Sequence, residues 1–161
     1  MKRTLTALAL AGAGAAGVLT AAAPAAANAS YTWRLDIRTG DREHAGTSAR
    51  VEIRLYGTKG QTSAIRLDNP GHNDFERGRV DRFDVDTPVD IGTLTKVRIW
   101  HDNSGEKPGW FLDEIRVARK KPSDTNPVEL GFFKWLARGE GENTLCYEQK
   151  TTSGEPKACG N

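Results

Sequence analysis

Between Asp68 and Glu76 the chain reads Asp-Asn-Pro-Gly-His-Asn-Asp-Phe-Glu, which gathers Asp68, Asn69, Asn73, Asp74 and Glu76 in one short segment. Side-chain oxygens at this density around a Pro-Gly turn have two uses. They can surround a calcium ion, which takes about six to eight oxygen ligands, or they can cap the backbone amides of their own turn. The spacing does not match an EF-hand loop. The three histidines, His44, His72 and His101, fall in turn-rich segments beside Glu43, Asp74 and Asp102, which loop composition alone explains. No H-x-x-x-H or H-E-x-x-H pair supports zinc, and no G-x-S-x-G elbow supports a serine nucleophile. A small hydrolase therefore has no motif behind it, and the chain reads as non-catalytic.

The elements that must position these residues alternate with period two. Tyr31, Trp33, Leu35 and Ile37 face one way and Thr32, Arg34, Asp36 and Arg38 the other. Ala49–Leu55, Ile65/Leu67, Phe83/Val85 and Val97/Ile99 repeat the pattern, each run one half-buried strand. Thr39-Gly40-Asp41, Gly57–Gly60, Asn69-Pro70-Gly71 and Asn103-Ser104-Gly105 are the turns between them. In Trp110–Val117 the phase slips, and a β-bulge near Asp113-Glu114 would return Trp110, Leu112, Ile115 and Val117 to one face. Gly131–Ala137 reads as a further strand, and Lys120–Pro127 as a connector. Short strands at this spacing argue for an all-β sandwich. Trp33 and Trp135 sit in strand patterns and are expected in its core. Trp100 has the parity opposite to Val97 and Ile99, which makes it a candidate exposed contact residue for a sugar or a partner. The pairs Asp81/Arg82 and Asp113/Arg116 read as surface or strand-edge salt bridges.

The first 29 residues combine Lys2 and Arg3, an apolar run from Leu5 and the small-residue stretch Ala27-Asn28-Ala29. That is the pattern of a secretory signal peptide, with the cut expected before Ser30. Without Lys2 and Arg3, the 23 Lys+Arg of the 161-residue chain become 21 against 21 Asp+Glu, so the net charge of +2 belongs to the leader. The remaining 132 residues hold no Lys/Arg block that could neutralise a phosphate backbone. They hold no segment apolar enough to span a membrane. An exported, extracellular protein is expected, monomeric and without nucleic acid as a partner. In an oxidising compartment the even count of Cys146 and Cys159 suggests a disulfide closing a short loop.

Three segments together resemble the PLAT domain, the lipoxygenase homology module named for polycystin, lipoxygenase and alpha-toxin. They are Thr39-Gly40-Asp41 with Ala45-Gly46-Thr47 and Val51–Gly57; Leu67–Gly78 with Asp81 and Phe83; and His101–Gly105 with Pro108–Asp113. Phe133–Leu136 is similar to that family's closing strand. The resemblance covers roughly residues 31–142, with residues 143–161 left as a tail that carries the two cysteines. It implies an eight-stranded antiparallel β-sandwich of two four-stranded sheets, here as a stand-alone module. It also implies a role in associating with a lipid surface or headgroup, or with a protein partner; a metal-independent carbohydrate- or protein-binding module is the alternative.

The resemblance further implies calcium as a cofactor, held by the residues matching Asn73, Asp74 and Glu76. Asp68 joins them as an outer candidate from the same acidic segment. A second, weaker calcium position would use Gly46 and Thr47 with Asp41 and Asp102. The family has an acid directly after Gly-Thr where this chain has Ser48, and losing one carboxylate weakens such a site. The loop tips Arg42-Glu43-His44 and Ser104–Lys107 lack the Trp or Phe that lipid-targeting members place there. That absence points to headgroup or protein contact in place of bilayer insertion. His44 and His72, in the same loops, and Trp100 complete the candidate ligand contacts.

Overall fold

The computed structural model describes residues 30–120, 126–152 and 154–160. The leader-like segment and most of the Lys120–Pro127 connector lie outside these residues. Ten strands follow in chain order: β1 (Tyr31–Thr39), β2 (Val51–Gly57), β3 (Gly60–Gln61), β4 (Ile65–Arg66), β5 (Val80–Thr87), β6 (Leu94–His101), β7 (Trp110–Arg119), β8 (Val128–Leu136), β9 (Cys146–Lys150) and β10 (Lys157–Ala158). They form two antiparallel sheets. One is ordered β5-β1-β7-β8; the other is ordered β10-β9-β6-β2-β3, with β4 also paired to β2. The all-β sandwich expected from the periodicity is the observed fold. The two-residue strands β3 and β4 both lie along β2, and β10 lies against β9. Counting β3/β4 as one edge leaves five strands in the second sheet against four in the first, one more than the two four-stranded sheets expected, the extra one being the two-residue β10.

Alternation decides what lies between the layers. Leu35 and Ile37 of β1, Val51, Ile53 and Leu55 of β2, Val97 and Ile99 of β6, and Ile115 of β7 are fully or almost fully buried. The phase slip in β7 is a bulge at Asp113: Arg38 pairs with Glu114 while Thr39 pairs with Leu112, so Asp113 has no partner on β1. A second irregularity faces it on β8, where Glu114 pairs with Gly131 and Leu112 with Lys134. The extra residue is absorbed at Phe133, whose φ is 49° and whose ring is 63% exposed. A bulge bends a strand and re-aims its side chains. Inward parity nonetheless runs through Leu130, Phe132 and Leu136, so Trp135, expected in the core, has outward parity and sits half-buried, in register with Phe111 and edge-on to its ring at 5.3 Å.

The tail is not separate from the sandwich. Residues of β9 pair with β6 from Lys96↔Lys150 to Trp100↔Cys146, and Tyr147 is fully buried. Cys146 and Cys159 are bridged, with Cα atoms 5.4 Å apart. The expected division at residue 142 thus precedes a strand of the second sheet. Its sequence, Cys-Tyr-Glu-Gln-Lys, offers one large apolar residue and a buried Gln149. That is too little alternation to announce a strand.

Candidate functional site

Three loops meet at one end of the sandwich: residues 40–50 after β1, residues 67–79 between β4 and β5, and residues 102–109 after β6. Backbone bonds tie them together. Thr47 N donates to Phe75 O at 3.2 Å, Ser48 N to Lys107 O at 3.0 Å, Gly78 N to Gly40 O at 3.1 Å and Asp102 N to Arg50 O at 3.2 Å. Gly46 is needed for this approach, because a Cβ there would lie 3.0 Å from Phe75 O and 3.2 Å from Arg77 N. Ser48 replaces an acid with a direct clasp: its Oγ accepts Lys107 N at 3.1 Å.

Phe75 mounts the acidic loop on the core. Its ring is 4% exposed, stacks on Phe83 at 5.7 Å and meets Trp110 edge-on at 5.2 Å. Its φ of 60° is a conformation bulky residues rarely adopt, and packing on both sides holds it there. Asp81, 5% exposed, accepts Phe75 N at 2.7 Å through Oδ2, and its Oδ1 lies 3.1 Å from His72 Nε2. Asp81 is therefore not the surface partner of Arg82, which pairs with Asp36 at 2.6 Å. Likewise Arg116 pairs with Glu129 at 3.0 Å in place of Asp113. The sequence reading gave Asp81 to Arg82 at the surface, although Asp81 shares the inward parity of Phe83.

Asp74 is also turned inward. Its two oxygens accept Asn69 N at 2.7 Å and Asn69 Nδ2 at 2.8 Å. This is the self-capping use of acidic turn residues, and it leaves further lone pairs on the carboxylate. His72, Asp74 and Asp81 have ligand atoms within 4.8 Å of one another. This trio mixes nitrogen with oxygens already bonded to backbone amides, so it suits a structural tie better than a hard cation.

Oxygen donors line a neighbouring polar cleft of about 250 Å³, which includes Thr47, Ser48, Asp68, Asn73, Asp74 and Ser104. Of the first predicted set, Asp68, Asn73 and Asp74 share this cleft. Glu76 does not line it and instead accepts a hydrogen bond from Asn73 Nδ2. Asp68 is 55% exposed, with Arg66 Nη2 3.4 Å away. The second set is dispersed. Thr47 joins the first cleft; its Oγ1 donates to Pro108 O at 2.9 Å and accepts Ala49 N at 3.0 Å. Asp41 pairs with Arg77 at 2.7 Å. Asp102 Oδ1 accepts Ser104 N at 3.0 Å and Arg50 N at 3.1 Å, and its bonds from Ser104 hold its carboxyl below the usual range. The oxygen donors at the cleft, two carboxylates with amide and hydroxyl oxygens, are of the kind calcium takes, although Arg50, Arg66 and His72 line it too and Arg66 already pairs with Asp68.

The other candidates lie apart from the cleft or outside the role expected for them. His44 is 80% exposed, 3.5 Å from Glu43. His101 is buried; its Nδ1 accepts Asn103 N at 3.1 Å and its Nε2 lies 2.8 Å from Leu136 O. The tautomer with a proton on Nε2 satisfies both, and burial pushes its pKa down. Trp100 is half-buried on the outer face of the second sheet, with Nε1 donating to Glu52 at 3.0 Å.

The family model for the PLAT/LH2 domain matches residues 33–147, most of the described sandwich. This chain belongs to the PLAT/LH2 domain family. It is 41% identical over 123 residues to lipoxygenase homology domain-containing protein 1 of Homo sapiens, covering 72% of this chain and 6% of that protein. It is 34% identical over 135 residues to the allene oxide synthase-lipoxygenase protein of Plexaura homomalla, covering 78% of this chain and 12% of that one. Among solved structures it superposes on coral 8R-lipoxygenase with a TM-score of 0.61 at 32% identity, over 66% of this chain and 16% of the lipoxygenase chain. That enzyme is described as calcium-activated through a C2-like domain. The PLAT chain spans a small part of each relative, and the match does not extend to a lipoxygenase catalytic domain. Among its described residues no helix is long and apolar enough to cross a membrane.

Proposed function

We propose that this PLAT chain is an exported, non-catalytic association module whose loop-end cleft takes calcium and attaches the module to an anionic lipid headgroup or a protein surface. The cleft carries this reading, because three loops bring Thr47, Asp68, Asn73, Asp74 and Ser104 around one polar space. Asp68 and Asp74 supply the negative charge, and Asn73, Thr47 and Ser104 supply neutral oxygens. Calcium, when bound, supplies positive charge able to attract phosphate or carboxylate oxygens of a partner. Two carboxylates are few, which places the affinity with extracellular calcium modules, about 10⁻⁴ to 10⁻³ M. The disulfide and the leader-like N-terminus support export.

The loop tips favour charge contact over insertion. Arg42 folds back with its guanidinium 4.1 Å from the centre of the Phe111 ring, and neither tip offers an aromatic anchor. Binding of this kind weakens as salt is raised. In co-sedimentation, calcium is expected to bring the protein down with phosphatidylserine vesicles but not with phosphatidylcholine vesicles. The Asp68→Asn variant loses that retention. Retention that survives EDTA would overturn the calcium reading and favour the metal-independent one around Trp100. Retention by neither vesicle would turn the reading to a protein partner.

A further inference from the structure

At the opposite end of the sandwich a second cleft combines two features that do not belong in a simple core. We propose that it binds a small carboxylate with a short apolar body. On β7 the inward residues Ile115 and Val117 are followed on the same face by Arg119, whose side chain is only 12% exposed. Arg119 lies directly opposite Trp33 of β1. Its guanidinium carbon sits 4.8 Å from the centre of the Tyr31 ring and 5.8 Å from that of Trp33.

Both residues carry an N–H without an acceptor. Trp33 is 3% exposed and its Nε1 has no hydrogen-bond partner, nor does the buried Nε of Arg119. Buried donors are ordinarily paired, since an orphaned one costs free energy comparable to a lost hydrogen bond. Both residues line this cleft, with their unpaired N–H groups buried beneath its surface. Arg119 Nη2 and Lys59 Nζ share the carboxylate of Asp90, at 2.9 Å and 3.0 Å. Lys59, the backbone of Gly92 and Arg119 hold that carboxyl down at about 2. Two cations on one anion leave a single surplus positive charge.

The cleft has a volume of about 360 Å³, and its apolar walls include Leu94, Val117 and Val128. That is the lower end of ligand-sized pockets, about 300 Å³ upward. A carboxylate matches the surplus charge, and a small turn of the Arg119 side chain would offer it the two N–H groups buried beneath the cleft, while its carbon chain covers the walls. The rim is preformed. Gly92, at φ 75°, lies so close to Thr58 that a Cβ would be 2.4 Å from its Oγ1, and one at Gly57 would be 2.1 Å from Ile91 O. A preformed site spends little binding energy on ordering.

The test is a titration of the ¹⁵N-labelled protein with sodium hexanoate, followed at the indole N–H of Trp33 and the Nε–H of Arg119. Both resonances are expected to move together and saturate in the millimolar range. The indole N–H of Trp110, which donates to Thr39 at 3.0 Å, stays put. Trp33→Phe keeps the ring but removes the donor and weakens binding about tenfold. Arg119→Lys, which keeps the charge but loses the Nε donor, weakens it similarly and stands in if the first variant does not fold. Absence of a saturable shift overturns the proposal. An equal response to hexanol does so too, because charge would then play no part. So does a water contact to the Trp33 indole that persists at saturating hexanoate.

Discussion

Trp110→Ala is expected to lower the unfolding free energy by roughly 3–5 kcal/mol, the cost of emptying a large aromatic site in a core. Trp110 is fully buried and its Nε1–H donates to Thr39 Oγ1 at 3.0 Å. Thr39 is itself fully buried, so the variant leaves a cavity and an unpaired hydroxyl together. The consequence reaches the loop end, because Phe75 rests edge-on against this indole and carries Asp74 and Glu76 on either side. Calcium affinity should therefore fall with stability although Trp110 touches no candidate ligand. Denaturant unfolding measures the first effect and a calcium titration of the folded variant the second. A stability loss below about 1 kcal/mol, an ordinary surface-like change, would contradict the view that the loop is mounted on this ring.

Replacing both Cys146 and Cys159 by serine should cost about 3 kcal/mol, the chain-entropy figure for a loop near this size. The bridge spans 13 positions and joins the start of β9 to the residue after β10, where Cys159 N also donates to Cys146 O at 3.0 Å. Because among the described residues β9 pairs only with β6 and the short β10, loosening it uncovers Tyr147 without separating the remaining strands. Amide exchange of Tyr147 and Gln149 should speed up far more than that of Ile53 or Val97. Uniform acceleration across both sheets would show that β9 unfolds only with the whole domain.

Most strands were legible because one face of each is buried and the other is wet, so a period of two is written into β1, β2, β5, β6 and β7. Even the bulge at Asp113 could be read, since Trp110/Leu112 and Ile115/Val117 cannot share a face without it. What escaped was structure that alternation does not encode. β9 inserts Tyr147 and a buried Gln149; Trp135, by contrast, has the parity opposite to the buried Leu130, Phe132 and Leu136, so alternation itself places it on the outer face. The candidate site was legible as composition, and the residues of the acidic segment do reach one cleft in Asp68, Asn73 and Asp74. How far each oxygen was already engaged was not legible. Asp74 and Asp81 spend hydrogen-bonding capacity on Asn69 and Phe75 amides, and Asp41 and Asp102 go to different partners.

A common signal was nonetheless present at both ends. Asp81 continues the inward face of Phe83, and Arg119 continues that of Ile115 and Val117. A charge on inward parity at the end of a strand has to find a partner there. The first finds the backbone and His72 beneath the acidic loop; the second leaves an N–H of its own, and one of Trp33, unanswered.

The central claim, that the loop-end cleft takes calcium, is tested most directly by isothermal calorimetry of calcium into the metal-free protein. A single saturable transition is expected with a Kd of about 10⁻⁴ to 10⁻³ M, abolished in the Asp68→Asn/Asp74→Asn double variant while its fold persists by circular dichroism. A flat titration, or the same transition in the folded double variant, would contradict it.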